Sequence, residues 1–246
     1  MTKHEWLTCD STEMMLAHLT HVLGTTLDGS LEWQKREKPL AGDRKLRLFA
    51  CACYQILLGK QLASPDVEQS MELVDITEKF ADCLISKNEF DQAHRMAELR
   101  ALNNPFGDAE DMGFCVSKLN PNAAAKGLTG KRFSSILRDL VGDDPLTPAI
   151  VATGVCEPVF GKCLLSKGHT GTHNIKVVRC NEEWLTPVVT QLSQIMYDDR
   201  DFTAMPILGD ALEEAGCDNV DILNHCRNGE IHVRGCWVVD LILGKK

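Results

Sequence analysis

Two cysteines and two histidines lie close together in CEPVFGKCLLSKGHTGTH, with the spacing Cys156-x6-Cys163-x5-His169-x3-His173. Thiolate and imidazole are the ligands that Zn²⁺ takes in tetrahedral structural sites, and the interval between the histidines is typical of such sites. The interval between the cysteines is longer than usual. Because four protein ligands leave no open coordination position, this Cys-Cys-His-His motif predicts a structural zinc site.

Neighbouring residues support the motif and also leave alternatives open. Gly168 and Gly171 allow the tight backbone that would turn both imidazoles toward one ion. Cys180 could replace one of the four ligands. If one ligand were absent, zinc would keep an open position and could activate water for hydrolysis, with Glu157 or Glu182 as the acid. Without metal, the stretch would be a polar loop in which these residue types are incidental.

A second set of the same residue types, His225, Cys226, His232 and Cys236, lies in HCRNGEIHVRGC near the C-terminus. A second metal site is conceivable there. However, His225 and Cys226 are adjacent and cannot easily converge on one ion. Both cysteines also lie beside apolar helical positions, where a reduced cysteine packs as a small hydrophobic residue. The sequence therefore favours structural histidines or a surface loop over metal ligation.

The sequence contains no complete catalytic signature. None of G-x-S-x-G, GxxxxGK[ST], HExxH or GxGxxG occurs in it. Cys51 and Cys53 superficially resemble a redox pair, but on a helix they lie about 200° apart, which favours buried packing. A role without catalysis is therefore favoured.

The composition limits the classes of partner. The chain has 246 residues, 44% of them hydrophobic, a net charge of −9 and a pI near 5.4. These values are typical of a soluble globular protein and argue against general affinity for nucleic acid or anionic membranes. A modest basic group, Lys162, Lys167, Lys176 and Arg179, keeps nucleic-acid binding as an alternative.

The chain shows neither a long apolar run nor a secretory signal, so a cytoplasmic location is expected. The eleven cysteines are then expected to be reduced thiols or metal ligands.

Hydrophobic periodicity and capping residues predict a mainly α protein. The predicted helices cover about 11–23, 44–60, 65–86, 88–103, 133–141, 183–197, 206–215, 220–226 and 236–243. The last run, CWVVDLIL, fits a helix or a buried strand by its apolarity, and its helical neighbours favour a helix. Two stretches, 149–155 and 174–180, favour extended structure.

These elements predict an irregular helical domain with a small, zinc-bound, hairpin-like insertion. An N-terminal helical block, 1–142, and a C-terminal helical block, 181–246, would pack together. The insertion would occupy residues 143–180. So short a segment builds little core of its own, and bound zinc would order it.

Two segments, RKLRLFACACYQ and the tail LGDALEEAGC…HVRGCWVVDLILGK, are similar to an uncharacterised helical protein family of planctomycete (Gemmata-type) bacteria. Members of that family begin with a TEAEWL-like start, which TKHEWL resembles here, and end in a LADALEEAGC…HVRGCWVVDLLLGK block. The resemblance implies a cytoplasmic, mainly helical bacterial protein, and it carries over no functional residue. The Cys-Cys-His-His motif separates the two familiar segments. Its C-x4-GHxGxH pattern resembles a short element of bacterial and phage proteins, which implies zinc binding.

Together these patterns predict a zinc-stabilised helical interaction or adaptor module that binds another protein. A zinc hydrolase with an open coordination position is the first alternative. Binding of nucleic acid through the insertion is the second.

Overall fold

The computed structural model describes residues 1–23, 41–58, 65–103, 130–143, 180–229 and 231–245. These residues are mainly helical and contain no β-strand, which confirms the predicted fold class. Between the ends of the predicted insertion, 143–180, the chain lies outside the described residues. Cys156, Cys163, His169 and His173 therefore also lie outside the described residues, and the zinc site of the Cys-Cys-His-His motif stays a prediction.

Where the connection between two helices is itself described, it is short. The bounds of the helices are α1 Lys3–Thr8, α2 Thr12–Leu23, α3 Ala41–Leu58, α4 Pro65–Ala81, α5 Lys87–Asn103, α6 Lys131–Val141, α7 Pro187–Asp199, α8 Met205–Glu214, α9 Val220–Arg227 and α10 Trp237–Leu243. A 3₁₀ turn, Glu182–Trp184, precedes α7. The apolar run near the C-terminus is therefore a helix, as its helical neighbours predicted.

Helix α1 was not predicted, although a local signal for it exists. The backbone N–H of Thr2 donates to Glu5 Oε2 at 2.7 Å, and the N–H of Glu5 donates to Thr2 Oγ1 at 3.2 Å. This reciprocal pair is a capping box, which satisfies two N–H groups that a helix start otherwise leaves without acceptors. The sequence T-K-H-E was thus sufficient to begin a helix.

The chain forms two compact units, of which unit 1 comprises Met1–Thr8 with Ser135–Lys246 and unit 2 comprises Cys9–Ser134. Helix α6 passes from one unit into the other. The predicted blocks 1–142 and 181–246 stay predictions, since the segment that would separate them lies outside the described residues.

In unit 2, helices α3 and α4 pack together, and the basic RKLR sequence of α3 is buried rather than solvated. Arg44 binds Asp82 at 2.9 Å with both side chains almost fully buried. The Arg47 guanidinium lies 4.9 Å from the centre of the Phe80 ring, which stacks on Phe90. Buried cations are thus accommodated by an ion pair and by aromatic faces.

In unit 1, helix α1 holds the end of α6. The indole Nε1 of Trp6 donates to the carbonyl of Gly142 at 3.1 Å, and Arg138 donates from its guanidinium to the carbonyl of Trp6 at 3.0 Å. Trp6 is fully buried. These contacts fix the C-terminal turn of α6, the turn that carries Asp139.

The rest of unit 1 is a core built by α7 to α10. Thr186 caps α7 by accepting from Val189 N–H, and Pro187 occupies the first helical position. Asn219 caps α9 through its side-chain oxygen, and Gly244 ends α10 in a left-handed conformation. These are the start and stop signals that the sequence offers, so the helix bounds follow from local chemistry. None of the helices within the described ranges is long and apolar enough to cross a bilayer.

The burial of Cys51 and Cys53 predicts a test by alkylation. Both thiols are fully buried, and burial raises the pKa of Cys53, whereas Cys83 is exposed. Because the thiolate is the nucleophile, we expect iodoacetamide to modify Cys83 in the folded protein while it leaves Cys51 and Cys53 intact. Peptide mass mapping after brief labelling measures this, and labelling in guanidinium is the control. Equal labelling of all three in the folded protein would contradict the buried α3.

Candidate metal centre

Four side chains of unit 1 converge in its interior: Asp139, His225, His232 and Cys236. One donor atom from each lies within 4.8 Å of the other three. Asp139 lies on α6, His225 lies on α9, His232 lies in the connection that follows, and Cys236 immediately precedes α10. We call these residues the Asp-His-His-Cys group. The group could hold a metal ion.

The donor atoms are already in contact. His225 Nε2 lies 3.1 Å from Asp139 Oδ1 and 3.2 Å from Cys236 Sγ. His232 Nδ1 lies 2.7 Å from the same carboxylate oxygen and 3.9 Å from the sulfur. The other carboxylate oxygen, Oδ2, accepts from the backbone N–H of Val233 at 2.8 Å. One oxygen of Asp139 is therefore held by the backbone, and the other faces both imidazoles.

Helical periodicity aims His225 at the group. The buried residues of α9 are Ile222, Leu223, His225 and Cys226, which share the side of the helix that faces the core. Asn219 fixes where α9 begins, and so it also fixes which residues lie on that face. The position of His225 thus follows from the cap and the period of 3.6 residues.

A tight turn places the last ligand. Cys236 N–H donates to the Val233 carbonyl at 2.9 Å, and Gly235, the third residue of this turn, has a φ of 94°. A positive φ at the third position is what a type II turn requires, and glycine adopts it without steric cost. The sequence V-R-G-C therefore turns the chain so that Val233 N–H and the Cys236 thiol both face Asp139.

The electrostatics of the group keep Asp139 ionised. Burial alone would raise the pKa of Asp139, but hydrogen bonds from His225 and His232 hold it well below its usual range. Burial raises the pKa of the Cys236 thiol well above its usual range, and the charge of Asp139 raises it further. Without a cation, the group at neutral pH contains a carboxylate and a protonated thiol. A bound metal ion would favour the thiolate instead.

The donor set and its dimensions fit a tetrahedral ion. Zn–N and Zn–O distances of about 2.0–2.1 Å and a Zn–S distance of about 2.3 Å place tetrahedral ligand atoms about 3.3–3.7 Å apart. The separations described above run from 2.7 to 3.9 Å. Small side-chain shifts would therefore open the space for an ion. His232 Nε2, which is buried, has no hydrogen-bond partner among the described residues and would carry the ring proton when Nδ1 binds metal.

The structure brings together three residues of the second sequence set and separates the fourth from them. His225, His232 and Cys236 join the group, although the sequence favoured structural histidines or a loop there. Cys226 packs in the apolar core instead, as expected from its adjacency to His225. Asp139 was missed, because it lies 86 residues from His225 at the edge of an amphipathic helix. The only local sign that Asp139 could belong to a site is that it is a charged residue beside the apolar stripe of α6.

Two of the alternative residues of the Cys-Cys-His-His motif, Cys180 and Glu182, are described and do not belong to the Asp-His-His-Cys group. Cys180 packs against the core of unit 1, and Glu182 is exposed in the 3₁₀ turn before α7. Glu157 lies outside the described residues.

No protein-family model, curated protein or solved structure matches this chain. The resemblance to the planctomycete family therefore stays a prediction.

Removal of the buried carboxylate should destabilise the protein even without metal. In the Asp139→Ala variant, three donors lose their common acceptor: His225, His232 and the Val233 N–H. We therefore expect the free energy of unfolding to fall by about 3–5 kcal/mol. Urea denaturation in the presence of a chelator measures this. The control is Asp218→Asn, an exposed carboxylate whose loss should cost less than about 0.5 kcal/mol. Similar stabilities of the two variants would refute the central role of Asp139.

The turn before Cys236 gives a second prediction. Gly235→Ala forces a residue with a Cβ to keep a φ of 94°, which should cost about 1 kcal/mol or more and displace the thiol. We expect weaker zinc binding in competition with a chromophoric chelator. Gly216→Ala is a matched control, because Gly216 also has a positive φ, of 87°, its added Cβ would meet open space, and it lies outside the connection that carries His232 and Cys236. If both variants bound zinc equally, the turn would not position the ligand.

Proposed function

We propose that this protein is a helical interaction module without catalytic activity, in which a zinc ion bound by the Asp-His-His-Cys group stabilises unit 1. The observation that carries the proposal is the convergence of four buried donor atoms from α6, α9 and the approach to α10. His225, His232 and Cys236 lie within twelve residues of one another, whereas Asp139 lies 86 residues from His225. One ion would therefore connect α6 with the C-terminal helices of unit 1.

The donor chemistry favours zinc over other common ions. Thiolate, imidazole and carboxylate are all ligands of Zn²⁺, which accepts a tetrahedral shell readily. Magnesium and calcium prefer shells made of oxygen, so the sulfur and the two nitrogens argue against them. Two histidines and a carboxylate also hold Fe²⁺ in oxygenases, but those sites keep open positions. Here Cys236 occupies the fourth position.

Burial favours a structural role over catalysis. The side chains of Asp139, His225 and His232 are 1%, 5% and 5% exposed, and Cys236 is fully buried. A hydrolytic zinc needs an open coordination position for water and a route for substrate. A shell filled by four protein ligands in a closed interior provides neither.

A protein without a reactive centre acts through its surface. The net charge of this protein limits the class of partner that its surface can bind. The net charge of −9 does not favour nucleic acid, whose phosphates are attracted by a basic surface. We therefore propose a protein partner. The predicted Cys-Cys-His-His motif would add a second zinc to the same molecule.

Metal analysis tests the proposal. Purified protein should retain zinc through buffer exchange, and zinc at about 1,000 times its dissociation constant should add about 4 kcal/mol of stability. For a chain of this size we then expect chelation to lower Tm by about 10 °C. His225→Ala and Cys236→Ala should each lose one zinc per chain, as measured by mass spectrometry of the intact native protein. Full zinc content in both variants would refute the site.

A matched pair of variants separates the two predicted sites. Cys163→Ala should remove only the zinc of the Cys-Cys-His-His motif. Cys226→Ala is the control for a missing thiol beside the Asp-His-His-Cys group, since it leaves a cavity in the core but should keep the zinc. Cys226→Ala should therefore lower stability without loss of zinc from the Asp-His-His-Cys group, whereas Cys236→Ala should lose that zinc.

Cobalt substitution tests the hydrolase alternative. In the Cys163→Ala background, which should lack the metal of the Cys-Cys-His-His motif, four-coordinate Co²⁺ should give intense visible bands and a thiolate charge-transfer band that Cys236→Ser abolishes. Bands that change on addition of azide or another small anion would reveal an open position and would favour the hydrolase instead.

A further inference from the structure

Helix α7 has apolar side chains on two sides. Val189, Met196 and Tyr197 face the core and are buried. On the other side, Val188 and Ile195 are 59% and 49% exposed. A helix of a monomeric globular protein normally presents polar residues to solvent on its outer side. In α7, the exposed Val188 and Ile195 lie beside exposed polar residues, which include Gln191, Gln194 and Asp198.

The outer apolar residues form one stripe. Val188, Leu192 and Ile195 follow one another at the i, i+4, i+7 spacing that aligns side chains along a helix, and Leu192 is partly buried at its centre. Asp199 continues the stripe by one further turn and is exposed. We call Val188, Leu192 and Ile195 the outer stripe of α7. Its spacing is that of a face that packs against another helix.

Acidic residues flank the outer stripe at both ends. Glu182 and Glu183 precede α7, and Asp198 and Asp199 end it, all of them exposed. Three basic residues near α7 are only partly exposed: Arg200 is half-buried at its C-cap, and Arg234 and Lys245 lie over the ring of Tyr197 on its inner side. The following part of unit 1 adds further exposed acidic residues: Asp201, Asp210, Glu213, Glu214, Asp218 and Asp221. Its one exposed arginine, Arg227, is bound to two of them.

We propose that the outer stripe of α7 docks a basic amphipathic helix of a partner protein. The stripe would bury the apolar side of that helix, and the acidic residues at both ends would bind its lysines or arginines. This inference rests on the proposed function, because it names the chemistry of the partner that an interaction module requires.

Charge excludes the competing occupants. In an antiparallel pair of two copies, Asp198 and Asp199 of one copy would face Glu182 and Glu183 of the other. In a parallel pair, each acidic group would face its own equivalent. Both arrangements place like charges together, which is destabilising. Nucleic acid and anionic membranes are negatively charged and would be repelled by the acidic residues that flank the outer stripe.

A synthetic peptide tests the docking. The probe is a fluorescent amphipathic peptide of leucine and lysine, long enough for about five helical turns, and a scrambled peptide of the same composition is its control. Anisotropy titrations of the full-length, zinc-containing protein are made at low and high salt. We expect the amphipathic peptide to bind more tightly than the scrambled one, with affinity that falls as salt rises.

Matched variants locate the site. Val188→Ser/Ile195→Ser should weaken peptide binding at least about tenfold. The control, Ile207→Ser/Val220→Ser, makes the same kind of change at residues that are 59% and 64% exposed on α8 and α9, and should leave affinity unchanged. Asp198→Asn/Asp199→Asn should weaken binding several-fold and reduce its dependence on salt.

The outcomes distinguish this inference from the proposed function, because zinc content is measured in every preparation. Equal binding of both peptides, or equal losses in the stripe and control variants, would overturn the docking site even where zinc is retained. Self-association of the wild type that Val188→Ser/Ile195→Ser abolishes would identify a second copy as the occupant and overturn the inference. If the purified protein contained no zinc but still bound the amphipathic peptide, the result would support docking at the outer stripe and refute the zinc site.

Discussion

The buried carboxylate of Asp139 is the constraint on which unit 1 depends. An ionised group in an apolar interior is costly unless its lone pairs are satisfied, and here two imidazoles and one backbone N–H satisfy them. These three partners come from α9 and from the connection to α10. The C-terminal helices therefore cannot move away from α6 without losing all three of these hydrogen bonds.

The same contacts are compatible with the proposed binding of zinc. Without metal, hydrogen bonds to Asp139 Oδ1 hold the donor atoms close together, so the site is preformed. With zinc, the hydrogen bonds to this oxygen would be replaced by coordination, while Val233 N–H would still hold the other oxygen. The ligand side chains would then lose most of their conformational entropy when the protein folds rather than when the metal binds. Preorganisation of this kind increases metal affinity.

The Asp-His-His-Cys group and the surface of α7 are connected through the core. Cys236 begins the approach to α10, and α10 packs against α7 in the apolar cluster that contains Tyr197 and Trp237. The inner face of α7 is thereby fixed, which fixes the direction of its outer stripe. A rigid stripe binds a partner with little loss of conformational entropy. Stabilisation at the centre of unit 1 would thus support the proposed recognition at its surface.

The sequence by itself determined the helices, because their signals are local. Asn219 and Thr186 cap helices, Pro187 begins one, and Gly244 ends one, each through contacts within a few residues. The sequence also showed His225, Cys226, His232 and Cys236 as a set of ligand types, but it favoured structural histidines or a loop there over metal ligation. Only the tertiary structure decided that Asp139 completes the group. Helical periodicity sets the direction of a side chain relative to its own helix, whereas the choice of partner 86 residues away depends on how α6 packs against α9.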